Sequence, residues 1–254
     1  MDNPNTLKTK RVLIIGGTRG LGLALAQHYL AIGCQVTILG RDVSQIPTSI
    51  HIDYPHVTCA SVDVGDQMAL AEFFSSLEEV PELCIYNAGY YFNQRKQRLT
   101  LAETKQMLAV NKFGFDDCFR IVSQKMLVAG RGHLVAIASV AGTIRSKRPS
   151  LYAMLKAQMI HSALDYRATL QPFGINVTVI APGYIDTPRL RELNGGDATH
   201  KPFLVSQATA VAEITQAIET QRALHIFPKP MKYISYLLNL LPVGITEQIV
   251  SKRK

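Results

Sequence analysis

Short apolar runs alternate with amphipathic stretches along most of the chain. "RVLIIGG" (11–17) is strongly apolar and ends in glycine, which predicts a strand buried on both faces, as in a parallel sheet. Leu23, Ala24, Ala26, Leu30 and Ala31 then fall at helical spacing across 20–32, with Gly33 placed as a C-terminal cap. Further strands are predicted at "QVTILG" (35–40), within "HVTCASVDV" (56–64), and at "ELCIYNAG" (82–89), "GHLVAIAS" (132–139), "GINVTVIAPG" (174–183) and "ALHIF" (223–227). Helices are predicted over 66–78, over one long stretch from about 100 to 129, over about 150–171 and over 205–220. Strands alternating with helices imply an α/β fold, a doubly wound parallel sheet with helices on both faces and right-handed crossovers. No Pro/Gly/Ser-rich linker and no repeat divides the chain, so one domain over 1–254 is expected, with a core over 10–227 and a C-terminal helical appendage over 228–254.

The appendage has its own pattern. In "MKYISYLLNLLPVGITEQIVSKRK" (231–254), Met231, Ile234, Leu238 and Leu241 share one helical face, and Tyr233, Leu237 and Leu240 are expected to widen it. Pro242 should end or kink that helix. Lys232, Asn239, Pro242 and Glu247 interrupt the run of about 20 apolar residues that a membrane span needs. Packing over a substrate opening or against a second subunit is the first expectation for this segment. Shallow membrane attachment aided by Lys252, Arg253 and Lys254 is the second.

Composition adds boundaries. With 254 residues, 47% apolar and 18% charged, the chain has a globular profile and enough length for a substantial core. Cys34, Cys59, Cys84 and Cys118 form no CxxC, and Cys34, Cys59 and Cys84 lie in or beside apolar runs, which suits small buried hydrophobes in a reducing, cytoplasmic setting. The seven histidines are scattered without an HExxH, so no metal site is expected. "MDNPNTLKTKR" lacks the apolar core of a secretory signal. The net charge of +8 collects in short clusters at 94–98, 145–148 and 251–254. Such short, separated clusters are read as solvated loops and a basic tail, so no nucleic-acid partner is expected.

In open α/β sheets ligands bind beyond the carboxyl ends of the strands, and the chemistry-bearing residues cluster there. After the first strand comes "GGTRGLG", with Gly16, Gly20 and Gly22 spaced GxxxGxG ahead of a helix. Glycines let backbone approach a pyrophosphate, and the helix start offers free N–H groups. Tyr152 precedes Lys156 by one helical turn, so a phenol and an ammonium share a face. A free phenol near pKa 10 is a poor acid or base at neutral pH, and a nearby ammonium should depress it. Ser139 in "SVAG" also reads as a turn cap, Asn111 as a buried satisfier of helix backbone, and Asp63 as an ordinary helix-start acid.

Gly16-x-x-x-Gly20-x-Gly22, Asn87-Ala88-Gly89 after the fourth strand, Asn111 in the long helix, Ser139 after the fifth strand, Tyr152-x-x-x-Lys156 and Pro182-Gly183 after the sixth resemble the short-chain dehydrogenase/reductase (SDR) family in order and spacing. Ser139 stands thirteen positions before Tyr152, as is usual there. The resemblance covers roughly residues 10–227. Ile15 and Tyr86 depart from the usual threonine and asparagine at their positions, and neither is expected to carry chemistry. The resemblance implies a Rossmann-type fold and hydride transfer between a carbonyl or alcohol and a nicotinamide cofactor. It assigns Tyr152 as general acid/base, Lys156 as its partner and a holder of the nicotinamide ribose, Ser139 as the group that orients the substrate oxygen, and Asn111 as part of a proton relay. It implies cofactor contacts from Gly16, Thr18, Arg19, Gly20, Leu21, Gly22, Arg41, Asp63, Val64, Asn87, Ala88, Gly89, Tyr152, Lys156, Pro182, Gly183 and Ile185. Asp63 would sit by the adenine with Val64 beside it.

The strand-two ending "ILGRD" places Gly40 where an NADH-preferring relative has an acid, and Arg41 follows. With Arg19, two fork-shaped cations suit a ribose phosphate, so NADP(H) is expected over NAD(H), although Asp42 is a competing carboxylate. Tyr184, together with Tyr90, Tyr91, Phe92 and Phe203, suggests an apolar small-molecule substrate. The family's helices four and five often pair subunits, so a homodimer or homotetramer is expected. A dinucleotide-sensing regulator on the same fold is the alternative function, opposed by the complete Ser139–Tyr152–Lys156 set. An epimerase or dehydratase is a further rival, opposed by the little room for a larger substrate domain.

Overall fold

The computed structural model describes residues 10–94 and 97–251. Arg95 and Lys96 of one basic cluster, and Lys252, Arg253 and Lys254 of another, lie outside the described residues. Seven strands form one sheet: β1 (Arg11–Ile15), β2 (Gln35–Gly40), β3 (Thr58–Ser61), β4 (Leu83–Tyr86), β5 (Gly132–Ile137), β6 (Ile175–Pro182) and β7 (Leu224–Phe227), in the order β3-β2-β1-β4-β5-β6-β7. Every neighbouring pair is parallel. The order reverses direction between β1 and β4, the position where such sheets open a crevice.

The two-residue period of the strands divides the core. Val12 and Ile14 enter one apolar layer with Leu25 and Ala26 of α1 (Gly20–Ala31) and Ile214 of α8 (Gln207–Glu219). Leu13 and Ile15 enter the opposite layer with Leu70 and Phe74 of α3 (Gln67–Ser76), Phe115 and Phe119 of α5 (Gly114–Ala129) and Met159 of α6 (Leu151–Leu170). Burial of each such side chain contributes about 1.5–3 kcal/mol, which fixes which face of each strand meets which helix. A short helix, α2 (Thr48–Asp53), was not anticipated by the apolar spacing; it delivers Ile50 into the first layer.

The helix expected unbroken over about 100–129 is divided. α4 (Leu101–Leu108) runs into a π-helical turn at Ala109–Phe113 before α5 begins. The extra residue in that turn changes the facing of Asn111 relative to an uninterrupted helix. Thr100 caps α4 by accepting from Glu103 N, and Ser150 caps α6 by accepting from Ala153 N. Beyond β6 lie α7 (Pro188–Glu192) and α8, and beyond β7 come α9 (Lys229–Leu240) and α10 (Val243–Ser251). Leu241 turns extended ahead of Pro242 and ends α9 where the proline predicts.

Four cysteines are free; Cys34, Cys84 and Cys118 are buried, whereas Cys59 on β3 is half-exposed. Among the described residues no helix is long and apolar enough to cross a membrane.

One buried base makes the sheet acid-sensitive. His133 Nε2 lies 2.8 Å from Thr178 Oγ1 across the β5–β6 pair, and burial pulls its pKa down to about 4, with Lys10 and Arg167 pushing the same way. The unfolded imidazole titrates near 6.5. The depressed base therefore leaves full stability above pH 6.5, and that stability is lost as pH falls toward 4 because the unfolded chain binds the extra proton. The loss reaches about 3 kcal/mol at its limit. Urea denaturation between pH 7 and pH 4 should show a shallower decline for His133→Gln than for wild type, and an equal decline in both would contradict the assignment.

Candidate active site

The loops after β1, β4, β5 and β6 meet α6 at one edge of the sheet. Gly16 leaves β1 with a positive φ of 81°, and a Cβ there would lie 2.6 Å from the backbone of Ala88. The first glycine is thus required both by its conformation and by the close seat of the Asn87-Ala88-Gly89 turn. Asn87 locks the two turns together, donating from Nδ2 to Gly16 O at 2.7 Å and from its backbone N–H to Ile15 O at 2.9 Å. A Cβ on Gly22 would lie 2.1 Å from Gly16 O and 2.6 Å from Asn87 Nδ2, so the third glycine lets α1 start against the turn. Arg19 precedes α1 without a side-chain cap, and the first turn carries no acid. The opening N–H groups of α1 therefore suit an anion such as a pyrophosphate. Thr18 and Leu21 are buried in this turn, while Arg19 is exposed.

The residues expected around the adenosine are distributed as follows. Asp63 Oδ1 accepts from Gly65 N at 2.9 Å, so part of its role is the local turn, and Val64 is buried beside it. Arg41 is exposed after β2 and, among the described residues, makes no ion pair. Asp42 does not pair with it. Its carboxylate accepts from Ser44 N, Ser44 Oγ and Gln45 Nε2, and these bonds, with a smaller contribution from Arg19, hold it below the usual carboxylate range. Pro182 is buried at the end of β6, and Gly183 N donates to Phe227 O at 2.7 Å. Ile185 sends its side chain into the core, which leaves backbone as its only offering to a cofactor.

Ser139 follows β5 and does cap a turn, accepting from Ala141 N at 3.2 Å. That turn, Val140–Thr143, lies hard against α6: a Cβ on Gly142 would meet the Lys156 and Ala157 backbone at 2.6 and 2.7 Å. The close approach brings Ser139 to Tyr152, whose phenol shares side-chain hydrogen bonding with it. Lys156 is buried, donates to Ile137 O at 3.1 Å, and holds its ammonium 5.9 Å from the Tyr152 ring centroid. A Cβ on Gly89 would lie 3.6 Å from both Asn111 Oδ1 and Lys156 Nζ, so the asparagine, the lysine and the β4 turn converge. Asn111 Nδ2 donates to Tyr90 O at 2.7 Å and Met107 O at 3.0 Å, the backbone role anticipated for it. Its Oδ1 is buried with no hydrogen-bond partner among the described residues, an acceptor held in reserve at the site.

The electrostatics correct one expectation. Tyr152 is not held below the ordinary phenol range beside Lys156. Burial pushes the phenol up to about 12, outweighing the lowering effect of Ser139, and Tyr91 adds to the rise. Burial also pulls Lys156 down to about 7, because its ammonium has exchanged water for little beyond one carbonyl and the Met159 sulfur. Tyr152 is therefore a neutral phenol and Lys156 a cation near its titration point.

Around the substrate position, Tyr91 meets Tyr152 edge-to-face at 4.9 Å. Tyr90 is drawn off by a 2.5 Å bond to Glu103, Lys201 covers one face of Tyr184 at 5.6 Å, and Phe203 is exposed with a positive φ of 55°.

A model described as short chain dehydrogenase matches residues 10–198. The chain belongs to the short-chain dehydrogenase family. This dehydrogenase is 31% identical over 189 residues to the 3-oxoacyl-[acyl-carrier-protein] reductase MabA of Mycobacterium tuberculosis, covering 73% of each chain. It is 26% identical over 199 residues to the NADP-dependent (R)-specific alcohol dehydrogenase of Lentilactobacillus kefiri, covering 75% of this chain and 79% of that one. Among solved structures, the closed form of serine dehydrogenase complexed with NADP+ superposes with a TM-score of 0.76 at 20% identity, covering 85% of this chain and 94% of the other. A 3-oxoacyl-[acyl-carrier protein] reductase with bound NAD from Brucella melitensis superposes at 0.72 with 23% identity, covering 89% and 94%. The chain is thus a nicotinamide-dependent oxidoreductase by family, on a Rossmann-type fold.

Tyr86, a departure from the family pattern, turns out to support the site. It is fully buried, and its hydroxyl donates to Val110 O at 2.6 Å, inside the π-helical turn that carries Asn111. Its ring begins an aromatic column through Phe115 and Phe119 to Tyr166 on α6, with centroids 5.4, 4.3 and 5.5 Å apart. The only signal available beforehand was a tyrosine ending an apolar strand. Tyr86→Phe leaves the Val110 carbonyl without this donor, and should cost about 1–3 kcal/mol in urea denaturation. A variant as stable as wild type would show that the bond does not support the turn.

Proposed function

We propose that this dehydrogenase interconverts a carbonyl and an alcohol with NADPH preferred over NADH, using Tyr152 as general acid and base. The observation that carries the reading is the convergence of half-buried Ser139 and Tyr152 with buried Lys156 and Asn111 beside the glycine turn. When bound, the dinucleotide supplies or takes the hydride. Ser139 and Tyr152 hold the substrate oxygen between two hydroxyls and so fix its orientation. Tyr152, kept neutral by burial, has its proton ready for the oxygen as alkoxide character develops. Lys156, near its titration point at neutral pH, returns a proton toward the phenol, and Asn111 Oδ1 is placed to hold a water linking that lysine to solvent. Tyr91, packed on the Tyr152 ring, supports an apolar substrate flank.

Cofactor preference rests on the end of β2. Asp42 is engaged by its own turn, which leaves Arg41 and Arg19 as the local charges offered to a ribose phosphate. A Cβ on Gly40 would lie 2.6 Å from Thr18 Cγ2, so an acidic side chain here would require Thr18 to move. The sheet edge therefore disfavours the NADH-type acid sterically as well as by sequence. A dimer through α5 and α6 is part of the reading, with exposed Phe113, Leu127, Val128 and Met154 supplying apolar surface on the π-helical turn and these two helices.

The test is one set of measurements on wild type, Arg41→Ala and Tyr152→Phe. Wild type should oxidise NADPH with apolar ketones and sediment as a dimer or larger. Arg41→Ala should weaken NADPH binding roughly 10–100-fold with little change for NADH. Tyr152→Phe should bind NADPH normally and lose nearly all turnover. Equal wild-type affinity for both cofactors refutes the preference, full turnover in Tyr152→Phe refutes the tyrosine role, and a monomer at micromolar concentration refutes the dimer.

A further inference from the structure

The segment after β7 was expected to present one apolar face, widened by Tyr233, Leu237 and Leu240. It presents two. Met231, Ile234, Ser235 and Leu238 turn inward, with Ser235 fully buried and Met231 packed on the core. Tyr233, Tyr236, Leu237 and Leu240 instead lie outward, 60%, 49%, 62% and 81% exposed, at helical spacing along the opposite side of α9. Exposed Leu241, Ile245 and Ile249 extend the apolar surface through α10.

The surroundings of that surface are cationic. Lys229 and Lys232 lie on α9, and Lys232 sits 5.7 Å from the Tyr236 ring centroid. Asn239, in the last turn of α9, accepts from Arg145 N at 2.9 Å and donates to Thr143 O at 2.7 Å. These bonds dock the exposed loop bearing Arg145, Lys147 and Arg148 beside the apolar face. No carboxylate occurs from Thr143 to Leu164 or from Thr220 to Thr246. On α9 the apolar side chains are flanked by tyrosines, with lysine and arginine around them and no acid in the helix, and α10 carries a single acid, Glu247; this composition matches the interface of an anionic bilayer. An isologous contact with a second copy would bring this cationic surround against itself, and lysine is depleted from such interfaces.

The place of α9 gives the surface a purpose. It abuts the Val140–Thr143 turn that follows Ser139, and Met231 lies where a Cβ on Gly183 would meet it at 3.2 Å. Both neighbouring loops lead directly into the catalytic site. We propose that the outward face of α9 and α10 seats the protein on an anionic lipid surface, so that the carbonyl compound it reduces is one dissolved in the bilayer. The substrate half of this inference rests on the proposed oxidoreductase function; the seating does not.

The experiment uses the full chain, phosphatidylcholine vesicles, and vesicles with about one third phosphatidylglycerol. Wild type should co-sediment with the anionic vesicles, less so at high salt, and only weakly with the neutral ones. The double variant Leu237→Glu/Leu240→Glu should bind anionic vesicles at least about tenfold more weakly. Its NADPH oxidation with a short water-soluble ketone should equal wild type, whereas turnover of a long-chain ketone presented in anionic vesicles should fall roughly tenfold. Failure of wild type to bind, equal binding by the variant, or conversion of a dimer to a monomer by the variant would overturn the seating, the last by making this face a subunit contact. Equal turnover of the vesicle-borne ketone by both proteins would overturn the substrate half. Vesicle binding without turnover of any ketone would remove the catalytic reading and leave the seating intact.

Discussion

Seven parallel strands must release their carboxyl ends at one edge of the sheet, and the site exists because of that constraint. The loops after β1, β4, β5 and β6 are brought together without any being near another in sequence. What remains is how closely they pack. Gly16 against Ala88, Gly22 against Gly16 and Gly142 against the backbone of Lys156 are contacts that a single methyl would break. The glycines therefore do more than permit a turn, because they set the distances between the glycine turn, the Asn87-Ala88-Gly89 turn and α6.

Burial then shapes the chemistry. The same packing that aligns Tyr152 and Lys156 withdraws the lysine from water fully and the tyrosine in part, raising the phenol and lowering the ammonium. Desolvation, rather than attraction between the pair, is the larger influence in this geometry. It yields a neutral acid beside a weakly held proton, which is an arrangement for delivering a proton to an oxygen. The orphaned Asn111 Oδ1 belongs to the same economy: a buried acceptor costs stability unless something at the site completes it.

Most of this was legible in the residues. Apolar runs such as "RVLIIGG" and "GHLVAIAS" located the strands, because a strand buried on both faces has few polar alternatives. The motif residues at strand ends were legible for a related reason: their chemistry is local. What escaped was set by tertiary contact. The π-helical turn at Ala109–Phe113 has no periodicity of its own within a stretch that reads as one helix. Tyr86 looked like a strand-ending aromatic, yet its hydroxyl reaches a carbonyl twenty-four residues away. Tyr233, Leu237 and Leu240 have the spacing of a core-facing stripe, and only the docking of Asn239 on Thr143 and Arg145 shows which side of α9 is covered. The net effect of Lys156 on Tyr152 likewise required the burial of both groups to be known.

The central claim is that this site carries out hydride transfer rather than merely holding a nucleotide. The most direct measurement supplies NADPH deuterated at the reactive nicotinamide carbon, together with an apolar ketone, and follows the alcohol by mass spectrometry. The account predicts one deuterium on the carbinol carbon of the product, formed by wild type and nearly absent with Tyr152→Phe although that variant still binds the cofactor. Tight NADPH binding with no deuterated alcohol from any ketone of a broad panel would contradict it, and would leave a dinucleotide-binding protein that does not react.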